Sequence, residues 1–236
     1  MIKTNDSIAL MVSVNYNDFL QYLLPINLIQ FDKIIVLTIK SDKTCIEICE
    51  KYDKVECLSF DDSILNFNGL TFNKGHLLNQ GFDYLNEMQY DGILTLTDSD
   101  IMFPSNYKHL INTTTHWTSK LYTLNRYDCP DGETLTRYLK DLDLTNLKLY
   151  PLKWLGYCQI FKYNAGRFRF SEKYNADRYD IEFIKHFKKR IKIRNLRKGR
   201  EGRKLKYLSK DDVLIHLGIP GKNWYGRITD EFFKNK

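Results

Sequence analysis

Short apolar segments alternate with amphipathic segments along the first half of the chain. Ile8–Val14 and Lys33–Ile39 have the pattern of buried strands, and each precedes a stretch with helical spacing, Asp18–Ile29 and Asp42–Tyr52. Parallel strands need a crossover connection, which is usually a helix. The order therefore predicts the opening of a parallel sheet.

The same order continues to a fourth strand. Val55–Phe60 has the pattern of a strand, Lys74–Met88 that of a helix, and Gly92–Thr97 that of a strand that stops at Asp98. Open α/β sheets bind ligands beyond the carboxyl ends of their strands. Asp98 and Asp100 therefore stand where a binding site is expected.

The alternation weakens after Pro104, although no internal repeat or low-complexity segment interrupts the chain. Strands are predicted at Lys120–Leu124, Tyr157–Tyr163 and Val213–Leu217, and helices at Glu133–Leu142 and Ala176–Phe187. The length of 236 residues fits one sizeable α/β domain with an accessory segment.

Asp98 and Asp100 are two carboxylates, separated by one residue, on the turn that leaves a buried strand. Both can reach one hard cation, with phosphate oxygens and water completing its coordination shell. The same spacing at Asp141 and Asp143 follows no buried strand, so it predicts a solvated surface. Turn and helix-capping chemistry is the alternative explanation of the first pair.

Positive charge is concentrated in one segment. The net charge is +7, and residues 184–210 contain thirteen Lys or Arg and one acid, so the remainder of the chain is mildly acidic. Gly199 and Gly202 favour a flexible loop or a lid, and contact with an anionic membrane surface is an alternative. Nucleic acid is not expected, because aromatic residues for base stacking are scarce among the charges.

Cysteine usage and hydropathy exclude other classes of protein. The five cysteines form neither a disulfide framework nor a zinc ribbon. No apolar run approaches the roughly 18–20 residues of a membrane span, and the first residues lack the layout of a signal peptide. We therefore expect a soluble, cytoplasmic protein.

Residues 72–104 resemble the centre of a known enzyme family. A basic and a small residue open a helix that carries N-x-G, and an apolar strand then ends in D-x-D with a proline nearby. This order resembles the GT-A glycosyltransferases, especially family 2 and the related β-galactosyltransferase and chondroitin-polymerase group. The matching residues are Lys74, Gly75, Asn79, Gly81, Asp98, Asp100 and Pro104.

The resemblance implies an α/β fold of the GT-A (Rossmann-like) type, with a mixed, mainly parallel sheet flanked by helices. It implies a single domain in which residues 1–104 bind the nucleotide-sugar and residues 105–236, with the basic loop 184–210, bind the acceptor. The residues it assigns to the nucleotide-sugar are Val12, Ser13, Val14, Tyr16, Asp42, Lys74, Asn79, Asp98, Ser99 and Lys222. Helix capping explains Asp42 equally well, and helix packing explains Asn79.

The resemblance also implies a metal site and an acceptor site. The implied ligands of Mn²⁺ or Mg²⁺ are Asp98, Asp100 and His216, although a histidine on an apolar strand is also a common core residue. The residues implied on the acceptor side are Trp154, Gly156 and Tyr157.

An inverting transfer needs one carboxylate that takes the proton of the acceptor hydroxyl. Position relative to the family pattern selects Asp180 for this role, with Asp177 as the second candidate and Glu182 left open. An acidic residue in the first turn of a helix is also favourable without any catalytic role.

The implied function is metal-dependent transfer of a sugar from a UDP- or GDP-sugar to a hydroxyl of a glycan or glycoconjugate, with inversion. One alternative is a sugar-1-phosphate nucleotidyltransferase, but residues 12–19 lack the glycine-rich basic loop expected of that class. The other is a nucleic-acid-binding module built on residues 184–210.

Overall fold

The computed structural model describes residues 6–114, 117, 120–150, 157–175, 179–187, 189–192, 212–218 and 232. In the first half, strands alternate with helices as predicted. The strands are β1 (Ser7–Val12), β2 (Lys33–Ile39), β3 (Val55–Phe60) and β4 (Ile93–Asp98). The helices are α1 (Asn17–Asn27), α2 (Lys43–Cys49) and α3 (Lys74–Glu87), and 3-10 helices cover Leu28–Gln30 and Asp62–Gly69.

The second half has shorter elements. Its helices are α4 (Tyr107–Thr113), α5 (Gly132–Asp141) and α6 (Tyr179–Phe183), and a 3-10 helix covers Ile184–His186. Its strands are β5 (Ile101–Met102), β6 (Lys120–Thr123), β7 (Asn125–Cys129), β8 (Lys148–Leu149), β9 (Cys158–Lys162), β10 (Lys189–Lys192) and β11 (Val213–Leu217).

The main sheet has seven strands in the order β10-β6-β9-β4-β1-β2-β3. Only β9 runs antiparallel to its neighbours within this sheet. The apolar strands β1 and β2 are almost completely buried and lie inside the sheet, whereas the more polar β3 is half-buried at its edge. The prediction of a mixed, mainly parallel sheet flanked by helices is confirmed.

Helices cover both faces of the main sheet. One apolar cluster joins the sheet to α3 and α6, and the other joins it to α1, α2 and α4. Helix α3 approaches the sheet closely at Gly81, where an added Cβ would lie 2.9 Å from Leu10 Cδ1. Glycine at this position therefore sets the distance between α3 and β1.

A second sheet of four strands, in the order β5-β11-β7-β8, was not predicted. Strand β11 pairs antiparallel with β5 and parallel with β7. Apolar side chains, including Phe19 of α1 and Leu135 of α5, pack against this sheet. The second sheet places β11, which is distant in sequence, directly beside the turn that follows β4.

Two predicted segments differ from the structure. The helix predicted at Ala176–Phe187 is reduced to the short α6 and one 3-10 turn in its described part. Within the predicted loop 184–210, β10 pairs with β6 because its extended backbone continues the edge of the main sheet, and residues 193–211 lie outside the described residues. In the described part of the chain, no helix is long and apolar enough to cross a membrane.

Candidate functional site

The carboxyl ends of three parallel strands meet at one edge of the main sheet. Val12, the last residue of β1, is in register with Asp98 at the end of β4 and with Leu37 in β2. The backbone N–H of Ser13 donates to Leu37 O at 3.0 Å, which continues the pairing beyond β1. The predicted residues after β1 and after β4 therefore share this edge.

Asp42 ties the turn after β1 to the start of α2. Its Oδ2 accepts from the backbone N–H of Asn15 at 2.7 Å, and its Oδ1 accepts from Asn17 Nδ2 at 2.9 Å. Its Oδ1 also accepts from the backbone N–H of Cys45 at 3.2 Å, as expected of an N-cap. The N-cap explanation is therefore correct, and contact with a nucleobase stays a prediction.

The loop between β1 and α1 contains the other residues predicted to cradle the donor. Ser13 and Val14 are buried, whereas Tyr16 is partly exposed. Asn15 adopts a left-handed backbone conformation with φ of 58°, which asparagine tolerates better than most residues. The bond from its N–H to Asp42 thus holds the turn in a defined shape.

Lys74, the first residue of α3, forms an ion pair with Asp98. Its Nζ lies 5.3 Å from the ring centroid of Tyr179 in α6. Burial lowers the pKa of Lys74, but Asp98 and Tyr179 outweigh burial and raise the pKa above its ordinary value. A permanently charged ammonium group therefore lies at the exit of β4.

Asp100 and His216 are 116 positions apart in the sequence and meet in space. Asp100 follows β4, His216 lies in β11, and His216 Nε2 is 3.4 Å from Asp100 Oδ2. The backbone N–H of Leu217 donates to Asp100 O at 2.9 Å and fixes the two segments together. Both side chains are about 95% buried, with exposures of 4% and 5%.

A second carboxylate lies on the other side of the imidazole. Asp128 Oδ1 is 3.3 Å from His216 Nδ1, and Arg126 contacts the same oxygen through Nε and Nη2 at 2.8 Å each. Burial lowers the pKa of His216, but Asp100 and Asp128 outweigh burial and raise it. Burial raises the pKa of Asp128, but His216 and Arg126 outweigh that effect and lower it.

The donor groups at this edge fit a divalent cation that binds together with a diphosphate. Asp100 and His216 present a carboxylate and an imidazole side by side, and Mn²⁺ accepts both. Asp98 is engaged by Lys74. Among the described residues, no group of three or more His, Cys, Asp or Glu could hold a metal ion, so a cation at Asp100 and His216 would need further ligands from phosphate oxygens and water.

Asn79 and Glu172 join α3 to the segment that precedes α6. Asn79 Nδ2 donates to Phe170 O at 3.1 Å and to Glu172 Oε1 at 2.7 Å, and Asn79 Oδ1 accepts from Phe170 N at 2.8 Å. His76 Nδ1 lies 3.0 Å from the same Glu172 oxygen. The packing explanation accounts for Asn79, and its contact with a nucleotide-sugar stays a prediction.

Asp180 lies in α6, directly after Tyr179, and is 7% exposed. Burial raises the pKa of Tyr179, and Asp98 and Asp180 raise it further against the opposing effect of Lys74. Both carboxylates are therefore near the same phenol. The predicted residues outside the described part are Asp177, Lys222, Trp154 and Gly156, whereas Tyr157 is described and buried.

Sequence reasoning missed Arg126, Asp128 and Tyr179. The first two lie in β7, whose sequence NRYDC has no apolar run, so hydrophobic periodicity gives no signal for a strand there. Tyr179 directly precedes Asp180 in the sequence, and no local pattern marks it as a site residue. A buried Arg–Asp pair two residues apart is recognisable only when the partner strand is known.

Comparison with solved structures bears on the fold. The mannosyltransferase PcManGT from Pyrobaculum calidifontis, solved with GDP-Man and Mn²⁺, aligns with a TM-score of 0.52 and 11% identity over 93% of this chain. The chain has a GT-A-type fold. It spans 58% of the length of that mannosyltransferase, and at this identity the GT-A likeness establishes the fold alone.

The other comparisons add nothing to the GT-A assignment. A 4-diphosphocytidyl-2C-methyl-D-erythritol synthase from Anaerococcus prevotii aligns with a TM-score of 0.42 and 13% identity, over 97% of this chain and 95% of that chain. No protein-family model and no curated protein matches the chain.

Proposed function

We propose that the protein is a metal-dependent glycosyltransferase, which moves a sugar from a UDP- or GDP-sugar to a hydroxyl of a glycan or glycoconjugate. The main support is the approach of His216 Nε2 to Asp100 Oδ2, at 3.4 Å, beside the ion pair of Lys74 with Asp98. This group of charges lies at the strand ends where α/β sheets bind ligands.

In this proposal, Asp100 and His216 hold Mn²⁺ or Mg²⁺, and Asp98 is the third candidate ligand. When bound, the cation neutralises the negative charge that develops on the departing nucleoside diphosphate. Lys74 adds a fixed positive charge at the same edge, because its pKa is raised. The mannosyltransferase of similar fold was solved with GDP-Man and Mn²⁺, which supports a nucleotide-sugar and a divalent cation as the ligands.

The donor nucleotide is assigned to the exits of β1 and β2. The residues proposed to contact it are Val12, Ser13, Val14 and Tyr16, with Ser99 between the two members of the acidic pair. Asp42 keeps the turn after β1 in shape through its bond to Asn15 N. A turn that is already ordered loses less conformational entropy when it binds a ligand.

Asp180 is the proposed base, with Asp177 as the second candidate. The Asp180 carboxylate takes the proton of the acceptor hydroxyl while that oxygen attacks the anomeric carbon from the face opposite the diphosphate. This attack inverts the configuration. The neighbouring Tyr179 lies beside Lys74, and this contact between α6 and the first residue of α3 supports the choice of Asp180.

A thermal-shift screen with UDP- and GDP-sugars, with and without Mn²⁺, tests the proposal. A ligand that binds the folded state at 100 times its Kd stabilises it by about 2.7 kcal/mol. We expect a Mn²⁺-dependent rise in Tm, and we expect Asp100→Asn and His216→Gln each to abolish it. Asp141→Asn is the matched control, because Asp141 belongs to the second D-x-D spacing and is exposed.

Product analysis separates the alternatives. A glycosyltransferase releases a nucleoside diphosphate, or hydrolyses the donor slowly, and an inverting enzyme changes the anomeric configuration. A nucleotidyltransferase instead releases pyrophosphate from a nucleoside triphosphate and a sugar phosphate. If Asp100→Asn keeps the Mn²⁺-dependent rise in Tm, the metal assignment is contradicted. If Asp180→Asn keeps sugar transfer, the role of base moves to Asp177 or Glu182.

A further inference from the structure

His216 lies between two carboxylates because of strand register. In the second sheet, β11 is the strand between β5 and β7, and His216 is in register with Asp128 of β7 and with Ile101 of β5. Residues in register on neighbouring parallel strands direct their side chains to the same face. The sheet therefore fixes the proximity of Asp128 to His216, independently of loop conformation.

Arg126 contacts the same Asp128 oxygen that lies near His216. Arg126 Nε and Nη2 both contact Asp128 Oδ1 at 2.8 Å, which is short enough for charge-assisted hydrogen bonds. The Arg126 guanidinium lies 4.1 Å from the ring centroid of Tyr150 and 5.0 Å from that of Tyr157. Arg126 and Asp128 are 7% and 8% exposed, so water competes little for these contacts.

The imidazole has one nitrogen near each carboxylate. Nε2 lies 3.4 Å from Asp100 Oδ2, and Nδ1 lies 3.3 Å from Asp128 Oδ1. Within the described part of the chain, Nδ1 makes no well-aligned hydrogen bond, and the Asp128 oxygen is the carboxylate within its reach. A neutral imidazole carries one N–H and one lone pair, so its surroundings decide which nitrogen keeps the proton.

We propose that Asp128 is a positioning residue for His216: it accepts from Nδ1–H and thereby leaves the lone pair of Nε2 directed towards Asp100. The inference rests on the proposed function, since the Nε2 lone pair and the Asp100 carboxylate together are a donor set for a divalent cation. Arg126 offsets the charge of Asp128, which keeps this carboxylate an acceptor for Nδ1.

General chemistry supports this role. Histidines that bind metals usually donate their other N–H to a carboxylate, a carbonyl or water, which fixes the ring and its tautomer. Removing such a partner typically lowers metal affinity by about 10- to 100-fold. No other described residue offers Nδ1 a carboxylate at this distance.

The first experiment needs no substitution. Long-range ¹H–¹⁵N NMR spectra of the wild-type protein without metal report the tautomer of His216, once a pH series has reached the neutral form of the ring. We expect the proton on Nδ1. A proton found on Nε2 instead overturns the inference, even if the variants described next do not fold.

The second experiment measures Mn²⁺ affinity, by electron paramagnetic resonance of the free ion, in Asp128→Asn and Asp128→Ala. We expect about 10- to 100-fold weaker binding and a mixed tautomer, with unchanged binding in the exposed control Asp141→Asn. Wild-type affinity together with a wild-type tautomer in Asp128→Asn overturns the inference. If wild type binds no Mn²⁺, the proposed function fails, and the tautomer alone decides the role of Asp128.

Discussion

Replacing Asn79 with alanine removes the side chain that joins α3 to the segment leading into α6. Asn79 is 2% exposed, and its amide pairs with both the N–H and the carbonyl of Phe170, which is 3% exposed. Asn79→Ala therefore leaves two buried backbone groups without their partner. It also removes one donor to Glu172.

The size of the effect follows from the two orphaned groups. A buried donor or acceptor left without a partner costs about 1–3 kcal/mol, and the lost carboxylate bond adds to this. Relaxation and water entry recover part of the loss, so we expect a decrease of about 2–4 kcal/mol in the free energy of unfolding. Most single substitutions cost less than this.

Asn86, two turns later in α3, provides the control. Its Oδ1 accepts from Tyr163 OH at 2.8 Å and from Gly166 N at 2.9 Å, but Asn86 is partly exposed. Water replaces its bonds, so Asn86→Ala is expected to cost about 1 kcal/mol or less.

Urea unfolding of wild type and both variants provides the measurement, with the m-value expected to stay constant. Equal losses in Asn79→Ala and Asn86→Ala, or a loss below about 1 kcal/mol for Asn79→Ala, would refute the reasoning. Aromatic packing would then hold the segment. Stacking of Phe170 on Phe183, with ring centroids 4.1 Å apart, is the contact to test next.

Three further outcomes are expected. Gly81→Ala brings a methyl group to 2.9 Å from Leu10 Cδ1, and the resulting overpacking costs about 1–3 kcal/mol in urea unfolding. Asp42→Ala removes the cap of α2 and costs about 1–2 kcal/mol, measured in the same way. Burial raises the pKa of Asp32, but bonds from Lys108 and Ser7 outweigh burial and lower the pKa. Asp32→Asn therefore removes stability that is present above about pH 4 and is lost as the pH falls through the lowered pKa.

These outcomes have distinct controls. Gly166→Ala replaces a glycine with nothing within 4 Å but with φ of 74°, so it reports backbone strain rather than overpacking. For Asp32, the stability difference between wild type and Asp32→Asn should shrink from about pH 5 towards pH 2. A difference that grows on acidification contradicts the sign of the pKa shift.

The main sheet was largely predictable because its strands are apolar and continuous. The predicted Lys33–Ile39, Val55–Phe60 and Val213–Leu217 have the bounds of β2, β3 and β11. By contrast, β5 and β8 have two residues each, which is too short for a periodicity. The sequence pattern therefore did not predict the second sheet, although it predicted β11, one of the two inner strands of that sheet.

The candidate site was predictable only where chemistry and strand ends coincide. The sequence predicted a metal site at Asp98, Asp100 and His216, because each residue belongs to, or follows, an apolar strand. Asp128 lies in a strand that has no apolar run, and its importance depends on register with β11. Pairing between distant strands is a tertiary property, which local spacing does not encode.

The position of β11 in the middle of the second sheet also gives the protein an order of assembly during synthesis. Ribosomes add roughly 5–20 residues per second, so His216 follows Asp100 by roughly 6–23 s. For that interval a nascent chain has β1 to β4 but lacks the imidazole that meets Asp100 and the strand that joins β5 to β7. The residues at the edge where β1, β2 and β4 end are thus synthesised early. The late strand β11 then completes both the Asp100–His216 pair and the second sheet.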